Sequence, residues 1–272
     1  MTLSPMARWA LRIALIVVLG FFYVPLLLVV INSFNASRIF SWPPESYTTH
    51  WWSSALENEG VRNALVESVK VASLATVVAL LLGTMIAFAV ARYTWFGRSS
   101  ISFLFVLPIA LPGIVTGVAL QNAFINVLST DGFQIQLGFW TVAIGHTTFC
   151  IVVIFNNVVA RLRRTGQNFE EASMDLGAST FQTFRLVTFP QIRSALVAGA
   201  LLAFGLSFDE IIVTQLTAGA GIETLPIWIF NNLSRPNVAP IVNVVAALVI
   251  IISIIPVYLA QKLSDDPAHT RL

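Results

Sequence analysis

Residues 170–190 read EEASMDLGASTFQTFRLVTFP, a charged, amphipathic stretch inside a chain that is 57% hydrophobic and only 10% charged over 272 residues. A soluble domain typically carries about 25% charged residues, so the composition is that of an integral membrane protein. The quoted stretch cannot lie in hydrocarbon and is read as a loop at the membrane surface. Its local signals predict order. Asn168 followed by Glu171 matches the N-x-x-E start of a helix, with the carboxylate near the positive end of the dipole. Gly177 stands where that helix should stop, because glycine accepts the left-handed conformation that helix ends often require. Ser179 with Gln182 three residues later is a second start, and Pro190 marks the next boundary. The expectation is two short helices joined at Gly177.

Working outward, apolar stretches of roughly twenty residues, the length that crosses a bilayer as a helix, fall six times, at about 11–31, 63–90, 100–125, 139–159, 194–217 and 240–262. They are long and lack period-2 alternation, so they read as helices rather than strands. Pro25, Pro108 and Pro112 fall inside spans, with kinks or a break expected near Pro108 and Pro112. The first span, preceded by Arg8 and Arg12, is longer than the roughly 7–15 residues of a secretory h-region and no A-x-A site follows it, so it is read as a retained anchor. No internal repeat or low-complexity tract is visible, and residues 1–272 read as a single membrane domain.

Orientation follows from the basic residues of the loops. With the N-terminus inside, the cytoplasmic side collects Arg8, Arg12, Arg92, Arg98, Arg161, Arg163, Arg164, Arg185, Arg193, Lys262 and Arg271, against Arg38, Arg62 and Arg235 outside. Both termini and the 160–193 loop are expected to be cytoplasmic. The net charge of +2 is spread according to topology rather than gathered in a patch, so no nucleic-acid partner is indicated. Outside, residues 32–62 form a long loop whose Trp51-Trp52 pair suits a membrane–water interface. The loop 218–239 carries a short apolar piece around Ile227–Phe230 that is expected to fold back as a re-entrant or interfacial segment.

The spacing Glu171-Ala172-Ser173, then Gly177, then Val187-x-Phe189-Pro190 resembles the EAA loop of ABC-importer permeases, in which E-A-A is followed by three residues, a glycine, nine residues and I-x-L-P. Both gaps match; Ser173 replaces an alanine, Val187 an isoleucine and Phe189 a leucine. The resemblance implies an all-α membrane protein with the six-helix type I importer (MetI-like) fold. It implies that the 160–193 loop seats a coupling helix in a groove of an ATPase subunit. Glu171 would make polar contacts there, Ala172 allow close approach, Gly177 set the bend and Pro190 end the segment. No G-x-x-x-x-G-K-[ST] phosphate loop is present. ATP and magnesium are therefore expected on a separate ATPase dimer, with no catalytic residue and no cofactor in this chain. The implied setting is a bacterial inner membrane, with a homologous second permease subunit and a periplasmic solute-binding protein as partners.

Asp209 and Glu210 lie adjacent in the fifth apolar run, SALVAGALLAFGLSFDEIIVTQLTAG. A charge at the bilayer centre costs about 2.5–3.5 kcal/mol on insertion scales. At 1.5 Å per residue the pair lies roughly 13 Å below the outer end near Ala218, facing protein or a water-filled cavity. Ser207, Glu210, Thr214 and Thr217 recur at helical spacing, as one polar stripe on a continuous helix. Two readings stand side by side: an ion pair with Lys70, itself three residues from Glu67, or the path of a cationic solute. The words FNASR (34–38), YTTHWW (47–52), LSFDEIIVT (206–214) and TLPIWIF (224–230) resemble the polyamine (spermidine/putrescine) branch of the family. That resemblance puts Ser207, Asp209, Glu210 and Trp51 on the solute path, with carboxylates for ammonium groups and an aromatic face for a cation or its methylene chain. Spermidine permeases carry an acid where this chain has Gly113, which removes one cation contact and favours the broader class of putrescine-like amines. His146 and Cys150, at i and i+4, are read as packing residues rather than metal ligands because no third ligand stands at matched spacing.

Overall fold

The computed structural model describes residues 4–38, 42–94, 96–97, 111–129 and 132–264. Every regular element among them is helical, with one isolated antiparallel bridge between Asn35 and Tyr47. Four helical runs are long and apolar enough to cross a membrane, Pro5–Asn32, Glu59–Arg92, Phe139–Thr165 and Thr180–Phe208, and two shorter apolar helices, Gly113–Val127 and Ala239–Ile254, fall where the third and sixth spans are expected. Residues 100–110 of the third expected span, with Pro108, lie outside the described residues, as do Arg98 and Arg271. Pro112, at φ −56° and ψ 135°, is the N-cap of the helix that begins at Gly113. The chain divides into two compact units, Met1–Arg62 with Trp228–Ser253, and Asn63–Ile227 with Ile254–Leu272.

In the first unit, helix α1 (Pro5–Asn32) starts on Ser4, whose hydroxyl accepts from the Ala7 amide at 3.2 Å, and carries Pro25 inside it. Its apolar side chains are exposed along nearly the whole length, as on a helix facing lipid or another chain. The loop that follows is ordered by short-range pairing. Ala36 and Thr48 exchange backbone bonds with Ser46 and Phe34, and α2 (His50–Glu57) places Trp52 in a 5.1 Å stack on Phe34.

In the second unit, α3 (Glu59–Arg92, from Asn63 onward) packs on α5 (Phe139–Thr165) through Ala75, Ala79, Gly83 and Ala87, four small residues four apart on one face. A Cβ on Gly83 would come within 2.9 Å of the Ile154 Cβ, so the two backbones approach as small-residue membrane interfaces allow. Ile154, Phe155, Val158 and Leu162 fill the other side of that seam, together with Ile192, Ala203 and Val213. Between α3 and α5 in sequence comes α4 (Gly113–Asn122), which continues as a π turn over Ala123–Val127.

The fifth span departs from expectation at both ends. It does not begin near 194 after a boundary at Pro190. The helical run starts at Thr180 (α7, Thr180–Thr183), passes through a π turn, Phe184–Thr188, and continues as α8 (Phe189–Phe208). Pro190 has no amide hydrogen to donate, and its ring would collide with the carbonyl four residues back. The π turn, whose closing bond runs from the Phe189 amide to the Phe184 carbonyl, accommodates both without ending the helix. At the other end the run stops at Phe208, and a separate six-residue helix, α9 (Ile212–Thr217), follows. Further on, the short apolar piece after 218 is helical, α10 (Leu225–Asn232), its first amide held by the Ser68 hydroxyl at 2.7 Å. The last helix is α11 (Ala239–Ser264).

Candidate functional site: a coupling loop and a broken span

The loop folds as two helical pieces hinged at glycine. The first, α6 (Asn168–Asp175), has Gln167 and not Asn168 as its N-cap residue, with no side-chain cap bond, and Asn168 is the first helical residue. Its stop is a Schellman motif. The Gly177 amide donates to the Met174 carbonyl at 2.9 Å, the Ala178 amide to the Ser173 carbonyl at 3.1 Å, and Gly177 sits at φ +90°. Ser179 and Gln182 form a reciprocal capping box, with Ser179 N–H to Gln182 Oε1 at 2.8 Å and Gln182 N–H to Ser179 Oγ at 3.3 Å. Ser173, the residue that departs from E-A-A, ties the two pieces together through a 3.1 Å contact with the Thr183 hydroxyl.

Glu171 and Ala172 are exposed, and Glu171 makes no ion pair among the described residues. Around them Phe169, Leu176 and Phe181 are also exposed, Leu176 to 90%. The neighbouring acid behaves differently. Glu170 Oε1 lies 2.8 Å from Arg92 Nη2 and accepts from the Thr188 hydroxyl at 3.1 Å, while Arg92 also donates to the carbonyls of Leu162 at 3.1 Å and Gly166 at 3.0 Å. One guanidinium thus neutralises the C-terminal end of α5 and grips the first turn of α6. Sequence reading missed this latch. Glu170 looks like a duplicate of Glu171, and Arg92 had been counted only as a topological charge.

The second candidate region is the interruption of span five. The two acids there separate into distinct environments. Glu210 turns back and accepts the Val213 amide at 2.9 Å, serving the first turn of α9. Asp209 is exposed, with no ion pair among the described residues, at the C-terminal, electronegative end of α8. Lys70 is paired with Glu67 at 2.8 Å, so the alternative Lys70 partnership with this acidic pair is not formed. Gly113, the first residue of α4, adjoins the same place: a Cβ there would stand 4.0 Å from Glu210 Oε1. The nearest atom to such a Cβ is the Ile212 Cβ at 3.7 Å, an ordinary contact distance, so a side chain at 113 would start beside Glu210. Close packing continues one turn on, where a Cβ at Gly117 would meet Leu216 Cδ1 at 2.6 Å.

Ser207 is buried and its hydroxyl lies 2.7 Å from His146 Nδ1. His146 Nε2 lies 2.8 Å from the Thr214 hydroxyl, which in turn donates to the Glu210 carbonyl at 2.9 Å. The polar stripe is therefore real but belongs to two helices rather than one. His146 and Cys150 face protein partners, the thiol donating to the Ala203 carbonyl at 3.4 Å. Among the described residues no three His, Cys, Asp or Glu side chains are grouped as metal ligands would be. Trp51 lies in the first unit, its Nε1 donating to the Asn35 carbonyl at 3.0 Å and the Arg38 guanidinium 5.9 Å from its ring. Ser207, Asp209 and Glu210 are brought together around the helix break in the second unit.

Similarity to known proteins follows the same lines. The chain is 33% identical over 250 residues to the putrescine transport system permease protein PotI of Escherichia coli K12, covering 90% of this chain and 88% of PotI. It is 32% identical to the spermidine/putrescine transport system permease protein PotC of Haemophilus influenzae, over 97% of this chain and all of that relative. In fold it is similar to a bacterial alginate ABC transporter solved in complex with an alginate pentasaccharide-bound periplasmic protein, with a TM-score of 0.72, 12% identity, and coverage of 96% of this chain and 94% of that one. The sequence profile of the binding-protein-dependent transport system inner membrane component matches residues 79–266. With that match over most of its length, the chain belongs to the family of inner membrane components of binding-protein-dependent transport systems.

Proposed function

We propose that this permease is one half of the translocation path of an ATP-driven polyamine importer, taking putrescine-like amines through the membrane by alternating access. One observation carries the reading. Asp209 is an exposed carboxylate at the electronegative end of α8, without an ion-pair partner among the described residues, inside the fifth apolar run. A cation is the ligand that this arrangement attracts, because the helix end and the carboxylate present charge of the same sign at one place. An alkyl chain between ammonium groups suits the apolar residues flanking the acid, Phe208, Ile211 and Ile212.

The remaining parts of the system are inferred from the loop. Glu171, Ala172 and the exposed Phe169, Leu176 and Phe181 offer a surface of mixed apolar and acidic character to an ATPase subunit, which supplies ATP and magnesium. A second, homologous permease supplies the other half of the cavity, and a periplasmic binding protein delivers the amine to the outer loops. Both termini face the cytoplasm in this proposal, which the distribution of arginines supports.

The test is reconstitution of the complete complex in nanodiscs and a screen for binding-protein-dependent ATPase stimulation by putrescine, spermidine, an aminophosphonate, thiamine and ferric ion. Stimulation by diamines is the expected result. Stimulation by the aminophosphonate, thiamine or ferric ion alone would overturn the polyamine reading while keeping the importer.

A further inference from the structure

The interruption of span five is held open from a different helix. Ser207 is the penultimate residue of α8 and Thr214 lies in α9, and His146 of α5 reaches both, 61 and 68 positions away in sequence. The bond directions are assigned by satisfying every donor and acceptor of the network at once. Thr214 has one hydroxyl hydrogen, and it is given to the Glu210 carbonyl at 2.9 Å. Toward His146 Thr214 can then only accept, so Nε2 carries the imidazole proton. Nδ1 is left as an acceptor, and the Ser207 hydroxyl donates to it. The chain runs Ser207, His146, Thr214, Glu210 carbonyl, each donor used once and every bond between 2.7 and 2.9 Å.

We propose that His146 is a positioning residue for transport, fixing the offset between α8 and α9 and thereby the direction in which Asp209 is presented. Several observations support this. His146, Ser207 and Thr214 are all buried, His146 and Thr214 completely. Unbonded, each would leave a polar group stranded in an apolar surrounding, so the network favours the one helix offset that satisfies all three. In the segment between the helices, residues 209–211, the Asp209 amide donates to the Gly205 carbonyl at 3.1 Å, and its carboxylate has no ion-pair partner among the described residues. The Glu210 carboxylate, bonded to the Val213 amide, and its carbonyl, bonded to Thr214, tie Glu210 to α9, leaving Asp209 as the acid free to meet solute.

The transport consequence rests on the polyamine reading above, and the structural consequence does not. Hydrogen exchange on the reconstituted complex tests the latter. In His146→Leu and in the near-isosteric Thr214→Val, the amides of 212–218 should exchange about tenfold faster than in the wild type, with those of 196–204 unchanged. His146→Gln, which offers one donor and one acceptor, should restore much of the protection. Exchange at 212–218 within about twofold of wild type in Thr214→Val would overturn the proposal, even if His146→Leu failed to assemble. In uptake assays with putrescine, Thr214→Val should raise KM about tenfold while the maximal rate stays within about twofold. A reduced maximal rate at unchanged KM would refute the positioning role. If the wild-type complex transports no amine, the solute assignment fails and the exchange result still decides the role of His146.

Discussion

Replacing Arg92 by methionine removes a cation that makes three short contacts, at 3.1 Å to Leu162, 3.0 Å to Gly166 and 2.8 Å to Glu170. Methionine keeps most of the side-chain volume, so the loss is electrostatic rather than a cavity. The side chains of Arg92 and Glu170 are 11% and 16% exposed, and removing one member of a buried pair costs about 3–5 kcal/mol. Partial exposure puts this case near the lower figure, and a loss of about 3 kcal/mol is about a hundredfold in an equilibrium constant. The penalty falls where the contacts are, on the end of α5 and the start of α6. The expected result is therefore local: amides of 168–177 exchanging about a hundredfold faster in the membrane-embedded complex, with the α3–α5 seam unchanged. Glu170→Gln keeps the shape and some of the hydrogen bonding, and should show a smaller effect, about tenfold, in the same peptides. If Arg92→Met left exchange at 168–177 within about twofold of wild type, the latch would not be what orders the loop. Uptake per ATP hydrolysed should fall in parallel, because a loop that opens independently of α3 and α5 cannot move them.

Glu171→Lys reverses an exposed charge with no ion-pair partner among the described residues, so stability should change by no more than about 0.5 kcal/mol. ATP hydrolysis should nevertheless be uncoupled from uptake with the protein still in the membrane, and normal uptake by this mutant would remove Glu171 from the coupling role. Asp209→Asn should raise the KM for a diamine about tenfold, consistent with loss of one charged contact. Glu210→Gln should act mainly on the stability of α9, and equal KM effects from the two would contradict the division of labour between them. Gly177→Ala meets nothing within 4 Å, so its cost is purely conformational, about 1–2 kcal/mol for a left-handed alanine. It should speed exchange in the Schellman turn, and Gly177→Asn, which tolerates that region better, should do so less.

How much of the molecule was readable beforehand depends on the range of the interaction concerned. The Schellman stop at Gly177 and the capping box of Ser179 and Gln182 were legible because their partners lie within five residues, and composition together with the length and period of the apolar runs set the all-helical membrane class. Asn168 was misplaced by one position as a cap, within the usual uncertainty of helix ends. The start of span five was misjudged for a different reason. Proline reads as a boundary, and the π turn that lets the helix run through Pro190 leaves no signature in the order of residues.

The stretch 170–190 by itself determined that a hinged, solvent-facing helical pair interrupts an apolar chain, since hydrophobicity and capping are properties of neighbours. Tertiary structure decided which acids are available. Glu170 and Glu171 are chemically alike, as nearly are Asp209 and Glu210, yet in each pair one is engaged and the other exposed. Arg92 selects Glu170 from 78 positions away; Glu210 reaches only three residues, to the Val213 amide, but the break that makes Ile212 a helix start is bridged by His146 of α5, 61 and 68 positions away. Such choices depend on where helices cross, and a hydrogen bond across that distance leaves no periodic trace in the chain.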